Sequence, residues 1–170
     1  MGNQIAYAKL DSRIGTVWVA STTTGLCKIS LGQERAGPFL SWLSRNLDAG
    51  DPREAPDVMG AATTQLREYL SGQRRDFDVP LDVRGTTFQR AVWSQVARIP
   101  YGATATYGDI AQLVGKPRAS RAVGGAVGAN PLPIVIPCHR VIGARGDLTG
   151  FGSGLAIKEA LLRLEGAYPL

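Results

Sequence analysis

The stretch Thr106-Tyr107-Gly108-Asp109-Ile110-Ala111-Gln112-Leu113-Val114-Gly115-Lys116-Pro117-Arg118-Ala119-Ser120-Arg121-Ala122-Val123-Gly124-Gly125-Ala126-Val127-Gly128 decides the fold of the second half of the chain. Thr106 is an N-cap residue, and the spacing predicts a helix over 107–113. Gly115 stops it, and Lys116-Pro117 turn the chain into a further helix over 118–127. Two helices joined by a tight glycine-bearing turn read as a helix-turn-helix. The second of them is built almost wholly from small residues. Each interior glycine costs ~1 kcal/mol relative to alanine, so Gly124 and Gly125 need a reason. One is tight packing against another helix; the other is close approach to a nucleic-acid groove.

Downstream runs Asn130-Pro131-Leu132-Pro133-Ile134-Val135-Ile136-Pro137-Cys138-His139-Arg140-Val141-Ile142. Prolines close a short β-branched run at both ends, predicting a stiff extended piece that ends at a turn. The chain has two cysteines and one histidine, and here one cysteine adjoins that histidine. A thiol attacks as its thiolate, and at an ordinary pKa near ~8.5 it needs a neighbouring cation or base. The plainer reading of Cys138 is a small buried residue. The last helix, Leu155 to Glu165, closes at Gly166. Glu165 in its final turn faces the negative end of the helix dipole, which costs ~0.3–1 kcal/mol unless a cation is near. It reads either as an exposed surface acid or as the partner of an imidazolium.

Upstream, Thr86-Thr87-Phe88-Gln89 is a capping box. The helix it opens is expected to bury Phe88, Ala91, Val92, Val96 and Ile99, with Trp93 in the core, and to end at Pro100. The first third predicts an antiparallel meander of strands over 5–10, 16–20 and 26–31, with turns at Asp11-Ser12 and through Thr22 to Gly25. Cys27 is read as a strand residue facing a core. Helical spacing follows from Phe39 to Leu47, after Pro38, and from Ala61 to Leu70, stopping at Gly72. Residues 50–56 read as a polar loop, and 77–83 as an edge strand or linker, because Pro80 cannot serve a central ladder.

Residues 1–85 hold ten Lys/Arg and ten Asp/Glu; residues 86–170 hold nine and four. All the excess positive charge lies with the Cys-His pair, which suits a polyanionic partner. No apolar run approaches the ~18 residues of a membrane span, and the first residues lack a secretory pattern. A Cys27–Cys138 disulfide is not expected in an unexported protein. Three Cys and His residues are too few for a structural zinc site, so no metal is expected.

The run from Asn130 to Ile142 resembles the active-site signature of the O6-alkylguanine-DNA alkyltransferases, which move an alkyl group from damaged guanine onto their own cysteine. The resemblance extends from about Thr86 to Gly166; over 1–85 it is one of layout. It implies an α+β fold: a small N-terminal β-sheet domain with helices (1–85) as scaffold, and a mainly helical domain with a winged-type helix-turn-helix (86–170) for DNA binding and alkyl transfer. It implies Cys138 as nucleophile, His139 as base through a water, and Glu165 as the group orienting the histidine. Tyr107 matches the tyrosine that pushes on the backbone phosphate and hydrogen-bonds the flipped guanine. Arg121 matches the arginine finger, on a helix lying in the minor groove with Ala122, Gly125 and Ala126. Asn130 matches the hinge asparagine. The guanine pocket is expected from Tyr107, Val141 and the loop Phe151, Gly152, Ser153, where relatives carry a tyrosine, often followed by serine. Arg140 is read as a structural ion-pair residue with a second possibility of phosphate contact.

The implied activity is single-turnover methylated-DNA–protein-cysteine S-methyltransfer on O6-alkylguanine, and O4-alkylthymine, in double-stranded DNA. No cofactor is implied. The expected state is a monomer, with cooperative loading on DNA left open, and the expected location is the cytoplasm and nucleoid, or the nucleus in a eukaryote. Two alternatives stand beside it. A non-repairing lesion sensor would replace the cysteine. A Cys-His-Glu thiol hydrolase would have no need of the glycine-rich basic helix.

Overall fold

The structure, a computed structural model, describes residues 4–32, 35–48 and 50–168. The chain divides into two compact units, 1–83 and 84–170.

In the first unit, short runs rich in apolar residues make strands β1 (Ala6–Ser12), β2 (Gly15–Ser21) and β3 (Leu26–Ser30), with Val17 to Ala20 of the central β2 all buried. They pair antiparallel in sequence order, as the meander reading requires. The first turn falls at residues 13–14 rather than at Asp11-Ser12, because β1 keeps pairing through Ser12↔Gly15. On β3 an extra residue opposes β2 where the register shifts between Ala20 and Ser21. Such a bulge flips the side-chain alternation. Cys27 thereby joins Ile5, Trp18 and Ala20 in the core formed with Phe39, Leu43 and Leu47. The last three come from α1 (Ala36–Asn46) or its cap. Pro38 lies within the first turn of α1 rather than before it, where a missing N–H costs nothing.

The polar segment 50–56 is not all loop. Arg53–Glu54 form β4, a short strand parallel to β1, with the N–H groups of Arg53 and Ala55 donating to Ile5 and Tyr7. Two exposed charged residues give no alternation to read, so only the sheet edge reveals them. Helix α2 (Gly60–Leu70) follows, with Ser71 as its C-cap and Gly72 beyond it in the left-handed region. Residues 77–83 make a single bridge, Leu26 to Leu81, with Leu26 N–H donating to the Pro80 carbonyl. This suits a proline, which accepts but cannot donate.

The second unit begins with α3 (Thr87–Val96), closed at its start by the capping box of Thr86 and Gln89. Val92, Trp93, Val96 and Ile99 are buried. Phe88 is half-buried and Ala91 is exposed, against expectation. Trp93, two positions on, turns inward, and its indole N–H donates to the Ala126 carbonyl at 2.7 Å. That contact sets α3 against α5 (Ser120–Gly128). Helix α4 (Tyr107–Leu113) carries a second capping box, Thr106 with Asp109. Helix α5 starts two residues later than its sequence suggests. Strand β5 (Ala105–Thr106) pairs in parallel with β6 (Val141–Ile142). This short ladder brings the start of α4 beside the segment leaving Cys138. Helix α6 (Leu155–Leu164) completes the unit, with Glu165 as its C-cap and Gly166 in the left-handed region.

Candidate active site

Cys138, His139 and Arg140 form one 3₁₀ turn, and all three are buried. Two neighbours on this turn, His139 and Arg140, converge on one carboxylate, that of Glu165. His139 Nε2 lies 2.8 Å from Glu165 Oε1. Arg140 donates from Nη2 to the same oxygen at 2.8 Å and from Nε to Oε2 at 2.9 Å. The N–H of Gly102, a glycine at φ +81, donates to Oε2 at 3.3 Å. A carboxylate bound in two places by a guanidinium is ionised and can only accept. Nε2 of His139 must therefore carry the proton of that bond, which leaves the buried Nδ1 as the basic nitrogen. Burial lowers the histidine pKa below its ordinary value, and the bond to Glu165 opposes this only in part. The ring is neutral at physiological pH, as a base must be.

Two expectations are corrected here. The cation facing Glu165 at the end of α6 is the Arg140 guanidinium, with the imidazole neutral beside it. Arg140 is also unavailable for phosphate contact. It is buried, its Nη1 donates to the Ile99 carbonyl at 2.6 Å, and its guanidinium sits 5.7 Å from the Tyr101 ring centre. The acid of Glu165, read alternatively as exposed, is buried.

Desolvation pushes the Cys138 thiol up to about 11, while the Asn130 side chain, the Lys158 charge and the backbone N–H groups of Cys138 and His139 pull it down. The resting sulfur is a thiol, not a thiolate. The Asn130 amide and the two backbone N–H groups form a cradle in which negative charge can develop on sulfur once a proton is removed. Asn130 is itself held. Its Nδ2 donates to the Ile136 carbonyl at 2.8 Å, and its Oδ1 accepts from Leu132 N–H at 2.9 Å. One buried side chain thus ties the end of α5 to the turn bearing the sulfur. Between them, Ile134 takes φ +75, costly for a β-branched residue.

Tyr107 stands at the first position of α4, half-buried, and its hydroxyl donates to the Thr149 carbonyl at 3.0 Å. Burial raises its pKa, so it remains a donor. Tyr107, Arg121, Gly124 and Ala144 line one open cleft. Arg121, Ala122 and Gly125 are exposed on α5. Ala126 is not on that face. It is buried, and the interior side of the helix it shares with Val123 and Val127 packs toward α3. Helical rotation carries position 126 past the boundary that leaves 122 outside. Val141 is buried; Phe151 and Ser153 are half-buried and Gly152 exposed in the loop before α6. A Cβ at Gly124 would meet only the Tyr107 ring at 3.9 Å, and one at Gly125 or Gly128 would meet no described atom within 4 Å. Close packing inside the protein therefore does not explain the glycines of α5.

Sequence reasoning missed Lys158, which is fully buried with its ammonium on the Val141 and Thr149 carbonyls. A signal was present. Lys158, Leu161, Leu162 and Glu165 share the i, i+3, i+4, i+7 stripe of α6, so both charged residues sit on the apolar face.

A helix-turn-helix unit whose second helix is bare of bulk, in one unit with a buried turn carrying Cys138 and a His139–Glu165 pair, has the features of a nucleic-acid-binding protein with a thiol at its site. Comparison with known proteins identifies the class. The ribonuclease-like domain of 6-O-methylguanine DNA methyltransferase matches residues 5–83, and the DNA-binding domain of the same family matches residues 87–167. The methylated-DNA–protein-cysteine methyltransferase of Methanosarcina acetivorans is 44% identical over 163 residues, spanning 95% of this chain and 98% of that protein. The Mycobacterium tuberculosis protein of the same name is 44% identical over 161 residues, spanning 95% and 92%. The crystal structure of the M. tuberculosis O6-methylguanine methyltransferase superposes with a TM-score of 0.83 at 40% identity, covering 96% of this chain and 93% of the other. That of M. tuberculosis OGT in complex with DNA gives 0.82 at 41% identity, covering 95% and 92%. The chain belongs to the 6-O-methylguanine DNA methyltransferase family.

Proposed function

We propose that this protein repairs DNA by direct reversal, transferring an alkyl group from O6 of guanine in duplex DNA irreversibly to Cys138. The observation that carries the reading is the linked arrangement of Cys138, His139 and Glu165 on one side of Asn130 and the exposed, glycine-bearing face of α5 on the other. Helix α5 enters the minor groove, where a backbone without bulk fits a channel ~6 Å wide. Arg121 takes the place of the extruded nucleotide, whose unstacking costs a few kcal/mol. Ala122 and Gly125 approach the strand walls.

In the reaction the thiol proton passes through a water to Nδ1 of His139, and Glu165 stabilises the imidazolium. Sulfur displaces O6 from the alkyl carbon: an S–C bond forms as the C–O bond breaks. The guanine leaves as its anion and takes a proton from the Tyr107 hydroxyl, which recovers one from the imidazolium through solvent. Val141, Phe151, Gly152 and Ser153 enclose the base. Phe151 keeps the ring face of the family's tyrosine without its hydroxyl. A thioether is inert, so each molecule acts once. Unit 84–170 carries this chemistry, and unit 1–83 serves as scaffold.

The test is to mix the protein with a duplex containing one O6-methylguanine and measure its intact mass. The expected result is a single methyl on Cys138, absent from Cys138→Ser. Binding without modification would make the protein a lesion sensor, and neither outcome would return the hydrolase reading.

A further inference from the structure

Lys158 has no task in the reaction just described, yet it is fully buried in α6. An apolar side chain would fill the same stripe without the cost of desolvating a charge. Its ammonium donates to the Val141 carbonyl at 2.6 Å and the Thr149 carbonyl at 2.9 Å. Val141 begins β6 directly after the turn that carries Cys138. Thr149 opens the pocket loop, and its carbonyl also accepts from the Tyr107 hydroxyl at 3.0 Å. One carbonyl is therefore shared by the buried ammonium and by a residue at the cleft. Both acceptors of Lys158 are neutral. The ionisable groups that bear on it are Cys138 and His139 on the 3₁₀ turn and Tyr107 on α4, which shares the Thr149 carbonyl with it; Arg140 closes the same turn and Glu165 caps α6. Glu165 is committed to His139 and Arg140. An anion formed on the Cys138 sulfur is the charge left for Lys158 to face.

We propose that Lys158 is a positioning residue for alkyl transfer: its ammonium ties the pocket loop 149–154 to β6 and supplies the fixed positive charge against which the Cys138 thiolate develops. This rests on the alkyl-transfer reading above. The coupling is reciprocal. The Lys158 charge makes the thiol more acidic, and the sulfur supports the charge on Lys158. Desolvation nevertheless lowers the lysine to about 8, so its charge is lost on mild alkalinisation. A free thiolate reaction accelerates as pH rises. A reaction that depends on a charged Lys158 slows.

The experiment is single-turnover methyl transfer from an O6-methylguanine duplex at saturating protein, quenched and read by intact mass, from about pH 6.5 to 9.5. Wild type, Lys158→Met and Lys158→Arg are compared, with duplex affinity measured in parallel by fluorescence anisotropy. The wild-type rate is expected to fall as pH rises through about 8. Lys158→Met is expected to react at least about tenfold more slowly at neutral pH with affinity within about twofold, and its rate to climb with pH as the thiol ionises. Lys158→Arg keeps its charge and is expected to lose the alkaline fall. A Lys158→Met profile of wild-type shape, or a wild-type rate that does not fall by pH 9.5, overturns the proposal. If Lys158→Met does not fold, the wild-type and Lys158→Arg profiles decide. Wild type that transfers no methyl at any pH fails the parent reading instead.

Discussion

At the scale of single residues, Glu165 is the point on which the site turns. It accepts hydrogen bonds from His139, from two nitrogens of Arg140 and from the Gly102 amide. Removing its charge strands a buried guanidinium, and breaking a buried pair in this way costs ~3–5 kcal/mol. Glu165→Gln is therefore expected to lower stability by about that amount in urea denaturation and to slow methyl transfer together with it. A stable but slow variant would mean that Arg140 finds another anion. Adjacency to His139 leaves Cys138 readable either as a small buried residue or as a nucleophile, and it is the longer run from Asn130 to Ile142 that favours the second. What adjacency could not convey is that burial raises the thiol's pKa and that the imidazole's bonded partner is Glu165, twenty-six residues away. Those facts depend on which way three successive side chains leave a 3₁₀ turn.

At the scale of elements, α5 trades stability for access. No described atom crowds a Cβ at Gly125, so Gly125→Ala should raise helix stability by ~1 kcal/mol. For a chain of this size that is a rise of about 2–4 °C in melting temperature. The same methyl group stands on the exposed face and should weaken duplex binding about tenfold, near 1.4 kcal/mol. A thermal melt and a titration on one variant check both signs, and a gain in stability without loss of binding would remove α5 from the groove. The turn bearing Cys138 makes a second prediction. Cys138 is buried, and Asn130 bonds both Ile136 and Leu132 beside it. Adding a methyl to a packed site costs ~1–3 kcal/mol. Alkylated protein should therefore melt several degrees below the unmodified form, and an unchanged midpoint would show that the hinge absorbs the group without loosening. The capping boxes of α3 and α4 could be read directly from Thr86 and Thr106, because a cap is a local bond. Strand β4 could not, since its two residues are defined only by the edge of β1.

At the scale of the whole molecule, charge is divided between the units, but less freely than a count suggests. Of the nine basic residues in 86–170, Arg140 and Lys158 are buried and committed inside. The exposed remainder, including Lys116, Arg118, Arg121 and Arg145, can meet phosphates. Engaging about four of them predicts a slope near −4 for log affinity against log salt on duplex DNA. Anisotropy titrations at several salt concentrations measure it, and a slope near zero would deny backbone binding. No helix among the described residues is long and apolar enough to cross a membrane. The sequence by itself determined the helix-turn-helix, the capped helices and the meander, because caps, breakers and periodicity act over a few neighbouring positions. Only the tertiary structure decided that Lys158 and Glu165 lie inside, that Arg140 is an internal counter-ion and that Ala126 faces away from the cleft. Those outcomes depend on which element covers each face, and residues far apart along the chain meet only when the unit has packed.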